Sequence, residues 1–334
     1  MDGLGRYMGV LDGRQIDVLP RLPIVMAFAA RFIGSNYAAF ASDHRVLVEA
    51  NLRCAEHFGF DQVSTISDPY RETQGFGATI EYVEDGVPRC VAPPLAGSTD
   101  LGRLARPDPQ RSERMLDRVR AIALYRDRVE GRYSIMGWVE GPAAEAADLR
   151  GVTRLLLDLA RNRPFAEELM DLCVEVGVEF ALAQLRAGAD TIGIGDSIAS
   201  QVSASMYEAV ILPRERRLVE AIRAAGGRAR LHICGDITHL LPGVARLAAD
   251  IVDLDWQVDM REARRMLGPG TVLVGNLDPV SVVMEGTPAQ IAEGVRGIYR
   301  DVGNPYMVAA GCEIPRDTPE ANLLALCRPV AYAG

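Results

Sequence analysis

SMYEAVILPRERRLVEAIRAAGGRARLHICGD, residues 205–236, holds one complete unit of the pattern that decides the fold. Residues 205–225 have the apolar spacing of a helix, and Gly226-Gly227 is a typical helix stop. The apolar run over residues 229–233 then predicts a strand that is covered on both faces, as in a parallel sheet. Polar residues follow the strand at once. This order of helix, buried strand and polar strand end is the repeating unit of an α/β fold.

Short apolar runs of this kind occur eight times, separated by longer stretches with helical spacing. In one such stretch Phe165, Leu169, Leu172 and Val176 share a helical face, and Pro164 has the position of a first-turn proline. Eight strand–helix units predict an α/β fold, a single closed (β/α)8 TIM barrel. A doubly wound sheet is the alternative, but no Gly-rich phosphate turn follows the first run. The runs are residues 23–28, 62–67, 133–139, 191–195, 229–233, 251–254, 272–275 and 306–310.

An insertion interrupts this order after the second predicted strand. Residues 78–91 are β-rich on both sides of Asp85-Gly86, a dipeptide that favours a tight hairpin turn. Residues 93–112 are rich in proline, glycine and charge, which predicts a surface loop. We therefore predict one barrel domain over residues 1–334, with residues 78–112 as an inserted hairpin and loop.

The composition narrows the class of protein. Hydrophobic residues make up 49% and charged residues 24% of the 334 residues, which is ordinary for a globular protein. The net charge of −9 argues against binding to nucleic acid or to an anionic membrane. Residues 22–30, an apolar stretch near the start, are too few to span a bilayer, and no signal peptide is apparent. The six scattered cysteines do not form a disulfide framework, so we expect a cytoplasmic protein whose cysteines are buried, catalytic or metal-bound.

Two residues at the end of the fifth predicted strand indicate a metal site. Because strand residues i and i+2 share a face, His232 and Cys234 would both point into the barrel. Cys312, at the end of the last predicted strand, would face them across the barrel mouth. Two thiolates and one imidazole suit zinc, and three protein ligands leave a fourth position open for catalysis. The alternative is a buried histidine with two inert core cysteines.

Other polar side chains follow the remaining predicted strands, where barrel active sites are built. They are Asp68, Glu140, Asp196, Asp255, Asn276, Asp278 and Glu313. Helix capping explains an aspartate at such a position as well as function does. Trp138, within the third run, would either line the same mouth or pack in the core.

Several motifs resemble the uroporphyrinogen decarboxylase superfamily, and specifically its zinc-dependent corrinoid methyltransferase branch. The motifs are His232-Ile233-Cys234-Gly235-Asp236, Gly275-Asn276-Leu277-Asp278-Pro279, Gly311-Cys312-Glu313-Ile314-Pro315 and Ser67-Asp68-Pro69-Tyr70 with Glu72. That branch includes methylcobalamin:coenzyme M methyltransferases and bacterial demethylating methyltransferases. The resemblance covers almost the whole chain, and it implies the barrel fold and a zinc ion on His232, Cys234 and Cys312.

The resemblance also implies an activity, namely methyl transfer between a small methylated substrate or thiol and a corrinoid cofactor such as methylcobalamin. Asp68 and Glu72 would be catalytic, orienting the substrate or completing the zinc shell, while Tyr70, Arg31 and Asn276 would bind the substrate. No D-x-H-x-x-G corrinoid-binding stretch occurs, so we expect the corrinoid on a separate partner protein. The sequence leaves the oligomeric state open, with a homodimer as one possibility.

Two other functions stay open at this point. A true uroporphyrinogen decarboxylase acts without metal and has two arginines in its opening segment, whereas here only Arg31 matches, with Ala27 at the other position. Decarboxylases also end their last strand in Gly-His-Gly, where this chain has Gly311-Cys312-Glu313, although Asp68 matches their pyrrole-binding aspartate. A zinc-stabilised binding module is the other alternative, but structural zinc usually has four protein ligands.

Overall fold

A curled parallel sheet of seven strands forms the centre of the protein in a computed structural model that describes residues 1–333. The strands of this sheet lie in the order β1-β4-β5-β6-β7-β8-β9, and a two-stranded antiparallel hairpin, β2-β3, stands apart from it. The strands are β1 (Gln62–Ser64), β2 (Thr79–Val83), β3 (Gly86–Ala92), β4 (Ser134–Glu140), β5 (Thr191–Gly195), β6 (Arg228–Ile233), β7 (Ile251–Leu254), β8 (Val272–Val274) and β9 (Tyr306–Met307).

Helices separate the strands of the parallel sheet and pack against it. They are α1 (Gly3–Leu11), α2 (Ala27–Phe32), α3 (Tyr37–Ser42), α4 (His44–Phe58), α5 (Arg71–Gly75), α6 (Glu113–Val129), α7 (Pro142–Arg150), α8 (Val152–Arg161), α9 (Arg163–Ala187), α10 (Ala204–Met206), α11 (Leu212–Ala224), α12 (Leu241–Leu247), α13 (Met260–Leu267), α14 (Pro288–Val302) and α15 (Glu320–Leu326). Among residues 1–333, none of these helices combines the length and apolar composition needed to cross a membrane.

Local sequence sets the ends of the longer helices. In α14, the Thr287 side chain accepts a hydrogen bond from the Gln290 backbone, and the Gln290 side chain accepts one from the Thr287 backbone, which is a capping box. In α9, Pro164 lies in the first turn and Gly188 ends the helix at a positive φ of 116°. The faces that these helices turn inward join one large apolar core with the strands.

The predicted first strand, residues 23–28, is wrong, and the sheet has seven strands rather than the eight of the predicted closed barrel. Residues 27 and 28 lie in helix α2. Arg21, just before this run, forms an isolated parallel bridge with Val308 beside β9. Pro23 has no N–H to give to a neighbouring strand, and the following alanines favour a helix, so the apolar run does not extend as a strand. The other seven predicted runs each contain a strand of the sheet.

The parallel arrangement decides where a site forms. Each strand of the main sheet pairs in parallel with its neighbour, so all the strand carboxyl ends meet at one edge. Glu140 ends β4 and Gly195 ends β5, while His232 lies next to the end of β6. The backbone of Gly311, just beyond β9, donates a hydrogen bond to Leu277 and so holds the last segment at the same edge. Side chains far apart in sequence therefore meet here.

Candidate metal centre and its cavity

Two thiols and one imidazole meet at the carboxyl edge of the sheet. His232 lies on β6, Cys234 follows that strand, and Cys312 follows β9. The Cys234 Sγ lies 3.0 Å from His232 Nε2 and 3.8 Å from Cys312 Sγ, and the Cys312 Sγ lies 3.8 Å from His232 Nε2. Within residues 1–333, these three residues form a group whose donor atoms all lie within 4.8 Å of one another.

The spacing of these donor atoms fits one tetrahedral zinc ion. Zn–S bonds of about 2.3 Å and Zn–N bonds of about 2.0 Å place two sulfurs about 3.8 Å apart and a sulfur and a nitrogen about 3.5 Å apart. The two separations that involve Cys312, both 3.8 Å, agree with these values, and the 3.0 Å between His232 and Cys234 needs only a small opening. A soft donor set of two sulfurs and one nitrogen also matches the ligand preference of zinc.

The ionisation of the donor set favours binding of a cation. The hydrogen bond between the two thiols, donated by Cys234, lowers the pKa of Cys312 to about 4 and raises the pKa of Cys234. Burial alone would lower the pKa of His232, but its interactions with Cys234 and Asp253 outweigh burial and raise that pKa. Cys312 therefore ionises more readily than an ordinary thiol, and metal binding would release the remaining protons.

Asp253, a buried residue in the middle of β7, positions the imidazole. Its Oδ2 lies 3.4 Å from His232 Nδ1 and also accepts hydrogen bonds from Arg230 Nε and Nη2, at 3.2 and 2.5 Å. A carboxylate on the far nitrogen of a metal-binding histidine fixes the ring and its tautomer. This role of Asp253 was not predicted from the sequence, because its partner, His232, lies on another strand.

We predict that Asp253→Asn lowers zinc affinity by about 10- to 100-fold, because the imidazole loses its charged orienting partner. Competition of the protein with a chromophoric chelator for zinc measures this effect. Asp250→Asn is the matched control, since Asp250 precedes the same strand but binds Arg223 and the Ala229 backbone, away from the thiols. An equal loss of zinc affinity in both variants would contradict the role of Asp253.

A small cavity of about 180 Å³ opens beside the three donor residues. Its wall combines apolar side chains, carboxyl groups and the metal-binding candidates. The lining residues are Ile24, Met26, Ile66, Asp68, Pro69, Trp138, Glu140, Gly195, Ser197, His232, Cys234, Cys312 and Glu313. The cavity therefore gives a small molecule access to the candidate metal position.

The carboxyl groups of this wall are held by partners behind them. Asp68 Oδ2 accepts hydrogen bonds from Arg114 Nη2 at 2.5 Å and from Ser67 Oγ at 2.7 Å. Burial would raise the pKa of Asp68, but Arg114 and Arg71 outweigh it, so this pKa is lowered. Glu140 Oε1 accepts from Arg71 Nη2 at 2.5 Å, yet burial raises the pKa of Glu140 to about 8.

The other two acidic residues beside the cavity differ in their distance from it. Glu313 lines the cavity, and its Oε1 accepts a hydrogen bond from the Ala27 backbone at 3.0 Å. Burial raises the pKa of Glu313 to about 7. Glu72 is buried outside the lining, where its Oε1 accepts a hydrogen bond from the Glu140 backbone at 3.0 Å. Burial also raises the pKa of Glu72. Through its hydrogen bond with the Glu140 backbone, Glu72 supports the cavity wall from outside the lining.

The three residues predicted to bind substrate lie outside the cavity lining. Arg31 is exposed and contacts the Thr318 carbonyl at 3.4 Å. Tyr70 is partly exposed at the start of α5. The buried Asn276 donates hydrogen bonds to the carbonyls of Asp255 and Val258, at 3.0 and 2.7 Å, and so shapes the loop after β7.

The aspartates at other strand ends have structural partners. Asp196 accepts hydrogen bonds from the Ala144 and Ala143 backbones at the start of α7, at 2.7 and 3.3 Å. Asp278 accepts from the backbones of Val280 and Ser281 at 2.8 and 3.1 Å. Asp278 thus caps the helical turn that follows it, as the capping alternative predicts, whereas Asp196 binds the first turn of α7 and not the turn that follows it.

Asp255 stabilises the loop that carries Cys234. Its Oδ2 accepts a hydrogen bond from the Gly235 backbone at 2.9 Å, and its Oδ1 accepts one from Gln257 at 3.0 Å. Gly235 has a φ of 92°, a conformation that residues with a side chain rarely adopt. The glycine and the aspartate together fix the turn directly after the thiol.

A parallel α/β sheet with a Cys–Cys–His centre at its carboxyl edge defines the class of the protein. The chain belongs to the uroporphyrinogen decarboxylase family, whose sequence profile, Uroporphyrinogen decarboxylase (URO-D), matches residues 4–331. This match agrees with the resemblance of the sequence motifs.

Relatives of two kinds occur within this family. Methylcobamide:CoM methyltransferase MtbA of Methanosarcina acetivorans is 31% identical over 205 residues, which cover 61% of this chain and 59% of that protein. Uroporphyrinogen decarboxylase of Gloeobacter violaceus is 30% identical over 335 residues, which cover 94% of both chains. The similarity to the methyltransferase thus spans less than two thirds of its length.

A solved structure, a methyltransferase from Methanosarcina mazei, has the same fold. It superimposes with a TM-score of 0.89 over 98% of this chain and 97% of its own, at 22% sequence identity. Together with the MtbA relatives, this likeness confirms the resemblance to the corrinoid methyltransferase branch.

Proposed function

We propose that this chain is, as a single domain, a zinc-dependent methyltransferase. It would move a methyl group between a small methylated substrate or thiol and a corrinoid that a separate protein carries. The observation that supports this proposal most directly is the donor set of His232, Cys234 and Cys312, whose donor atoms lie within 4.8 Å of one another on the wall of a small cavity. Three protein ligands are typical of a catalytic zinc ion, whereas a zinc-stabilised binding module would need a fourth.

Zinc bound here would act as a Lewis acid that stabilises a thiolate nucleophile or a leaving group. The chain itself has to hold the reactants in line, because displacement at a methyl carbon needs little proton transfer. We assign to Asp68 and Glu140 the orientation of the substrate from the cavity wall, with Glu72 behind them. Ile66 and Met26 exclude water from the same cavity.

In the thiol-methylating direction the reaction balances without a further reagent. The cobalt–carbon bond of the methylcorrinoid breaks and leaves its electron pair on cobalt. The thiol sulfur forms the new bond to the methyl carbon, and the thiol proton is released to solvent. The demethylating direction is the reverse, with a methylated small molecule as the donor.

Decarboxylation is the second candidate, because a relative of that name is 30% identical over 94% of this chain. A porphyrinogen carries several carboxylates that need charged partners. Within residues 1–333 the cavity lining includes no arginine, and Arg31, the one match to the decarboxylase segment, is exposed elsewhere. The cavity of about 180 Å³ is also small beside ligand pockets of about 300–1,000 Å³. These features favour methyl transfer.

Metal analysis combined with two activity assays tests the proposal. We expect about one zinc per purified chain, and conversion of methylcobalamin to cob(I)alamin when a suitable thiol is present, followed by the visible absorption of the cobalamin. We expect no CO2 from uroporphyrinogen. A metal-free protein that releases CO2 from the porphyrinogen would replace this proposal with the decarboxylase alternative.

A further inference from the structure

The cavity beside the metal centre contains carboxyl groups but, in the part of the chain that is described, its lining includes no arginine or lysine. Its lining includes Asp68, Glu140 and Glu313. The sequence contains no lysine, so only arginine could supply a permanent positive charge here. Two arginines bind carboxyl groups of the lining. The Arg71 guanidinium lies 2.5 Å from Glu140, and the Arg114 guanidinium lies 2.5 Å from Asp68. An anionic group in the cavity would therefore meet carboxyl oxygens first.

An aromatic face completes this wall. A Cβ atom on Gly193 would lie 2.2 Å from Trp138 Cε3, and one on Gly195 would lie 2.7 Å from Trp138 Cζ2. The two glycines of β5 thus leave room for the indole of Trp138, which lines the cavity. Trp138 Nε1 donates a hydrogen bond to Glu140 Oε1 at 3.1 Å, so the ring and the carboxyl group stand side by side.

We infer that the small molecule taken by this cavity is a thiol or methyl thioether that carries an ammonium group, rather than one that ends in a sulfonate or carboxylate. The inference rests on the proposed function, because the sulfur is placed at the metal centre. An indole face and an adjacent carboxyl group attract a cation, and neither stabilises an anion. The ring centroids of Trp138 and His232 are 6.3 Å apart, so a short carbon chain separates the sulfur from the charge.

The electrostatics of the cavity agree with such a ligand. Burial raises the pKa of Glu140 to about 8, because removal from water disfavours the charged form of the carboxyl group. An ammonium group that enters favours the ionised carboxylate, and the desolvation cost of that charge is then offset by a direct partner. A sulfonate would have the opposite effect, since it would face a carboxyl group and an indole with no arginine or lysine in the lining to pair with it.

Three two-carbon thiols that differ in charge test the inference by calorimetric titration of the zinc-loaded protein. They are 2-aminoethanethiol, 2-mercaptoethanol and 2-mercaptoethanesulfonate. We expect the aminothiol to bind at least about tenfold more tightly than the sulfonate, with the neutral thiol between them. Glu140→Gln and, separately, Trp138→Leu should each lower the ratio of the aminothiol affinity to the 2-mercaptoethanol affinity. Glu220→Gln, an exposed carboxyl change on α11, is the control.

The outcomes separate the inference from the function on which it rests. If the sulfonate binds as tightly as the aminothiol or more tightly, the inference is overturned while the thiol site stands. If the control variant reduces the preference as much as Glu140→Gln does, the cavity wall is not its cause and the inference also fails. If none of the three thiols binds to the zinc-loaded protein, the proposed thiol chemistry itself is wrong, and the inference falls with it.

Discussion

Cys312→Ala should leave well under one zinc per chain after dialysis and lower methyl transfer by more than about 100-fold. Changes in the residues that only orient metal ligands already cost about 10- to 100-fold, so loss of a ligand should cost more. Two donors, His232 and Cys234, would remain, and both lie on one short segment at the end of β6. The two separations that match a tetrahedral centre best both involve Cys312, so its removal takes away the part of the site that fits zinc most closely.

The fold should survive this substitution, because the thiol is half-buried at the sheet edge and makes no packing contact that alanine would clash with. Zinc content by mass spectrometry, thermal unfolding and the methyl-transfer rate together measure the effect. Cys90→Ala is the matched control, since Cys90 lies on β3 outside the cavity lining. Full zinc occupancy and activity in the Cys312 variant would refute the assignment of the metal centre.

The arrangement of His232 and Cys234 was predictable because it depends only on strand alternation. Residues i and i+2 share a face wherever the strand lies, so two donors on one segment had to meet. The contact with Cys312 required one further step, namely that parallel strands bring their carboxyl ends to one edge. Local periodicity was also sufficient to predict seven of the eight proposed strands. It failed at residues 23–28, where Pro23 and helix-forming alanines outweighed an apolar run.

The partners of the site could not be read from the sequence. Asp253 lies in an apolar run whose register against β6 decides that its carboxylate faces the imidazole. The pairing of Asp68 with Arg114 joins residues 46 positions apart across a predicted loop. Asn276 matched a motif, yet its amide binds backbone carbonyls rather than the cavity. Such contacts depend on tertiary packing, which outweighs what any local pattern indicates.

The second large effect concerns the corrinoid partner. We expect the purified chain to carry no cobalamin and to be inactive on its methyl substrate until a corrinoid or a corrinoid protein is added, because no corrinoid-binding motif was found in the sequence. The partner has to reach the metal centre from the carboxyl edge of the sheet. Trp256, which is 48% exposed, lies at this edge. A Cβ atom on Gly311 would lie 2.3 Å from the Trp256 backbone nitrogen, and Cys312 follows Gly311 directly in the chain.

Turnover with a corrinoid protein should therefore fall about 30-fold in Trp256→Ala, the cost of losing a tryptophan that contributes about 2 kcal/mol to an interface. Turnover with free cobalamin should change much less, because it needs no docking between proteins.

Asp236→Arg, a charge reversal on the exposed loop after Cys234, should likewise lower turnover with the protein-borne corrinoid more than turnover with the free cofactor. Glu220→Arg, on the exposed face of α11, is the control for charge reversal alone. Steady-state rates with both corrinoid forms measure these effects. Equal losses with free and protein-borne corrinoid in the Trp256 variant would show that this residue acts on the chemistry rather than on docking, and full activity of the chain without any corrinoid would refute the requirement itself.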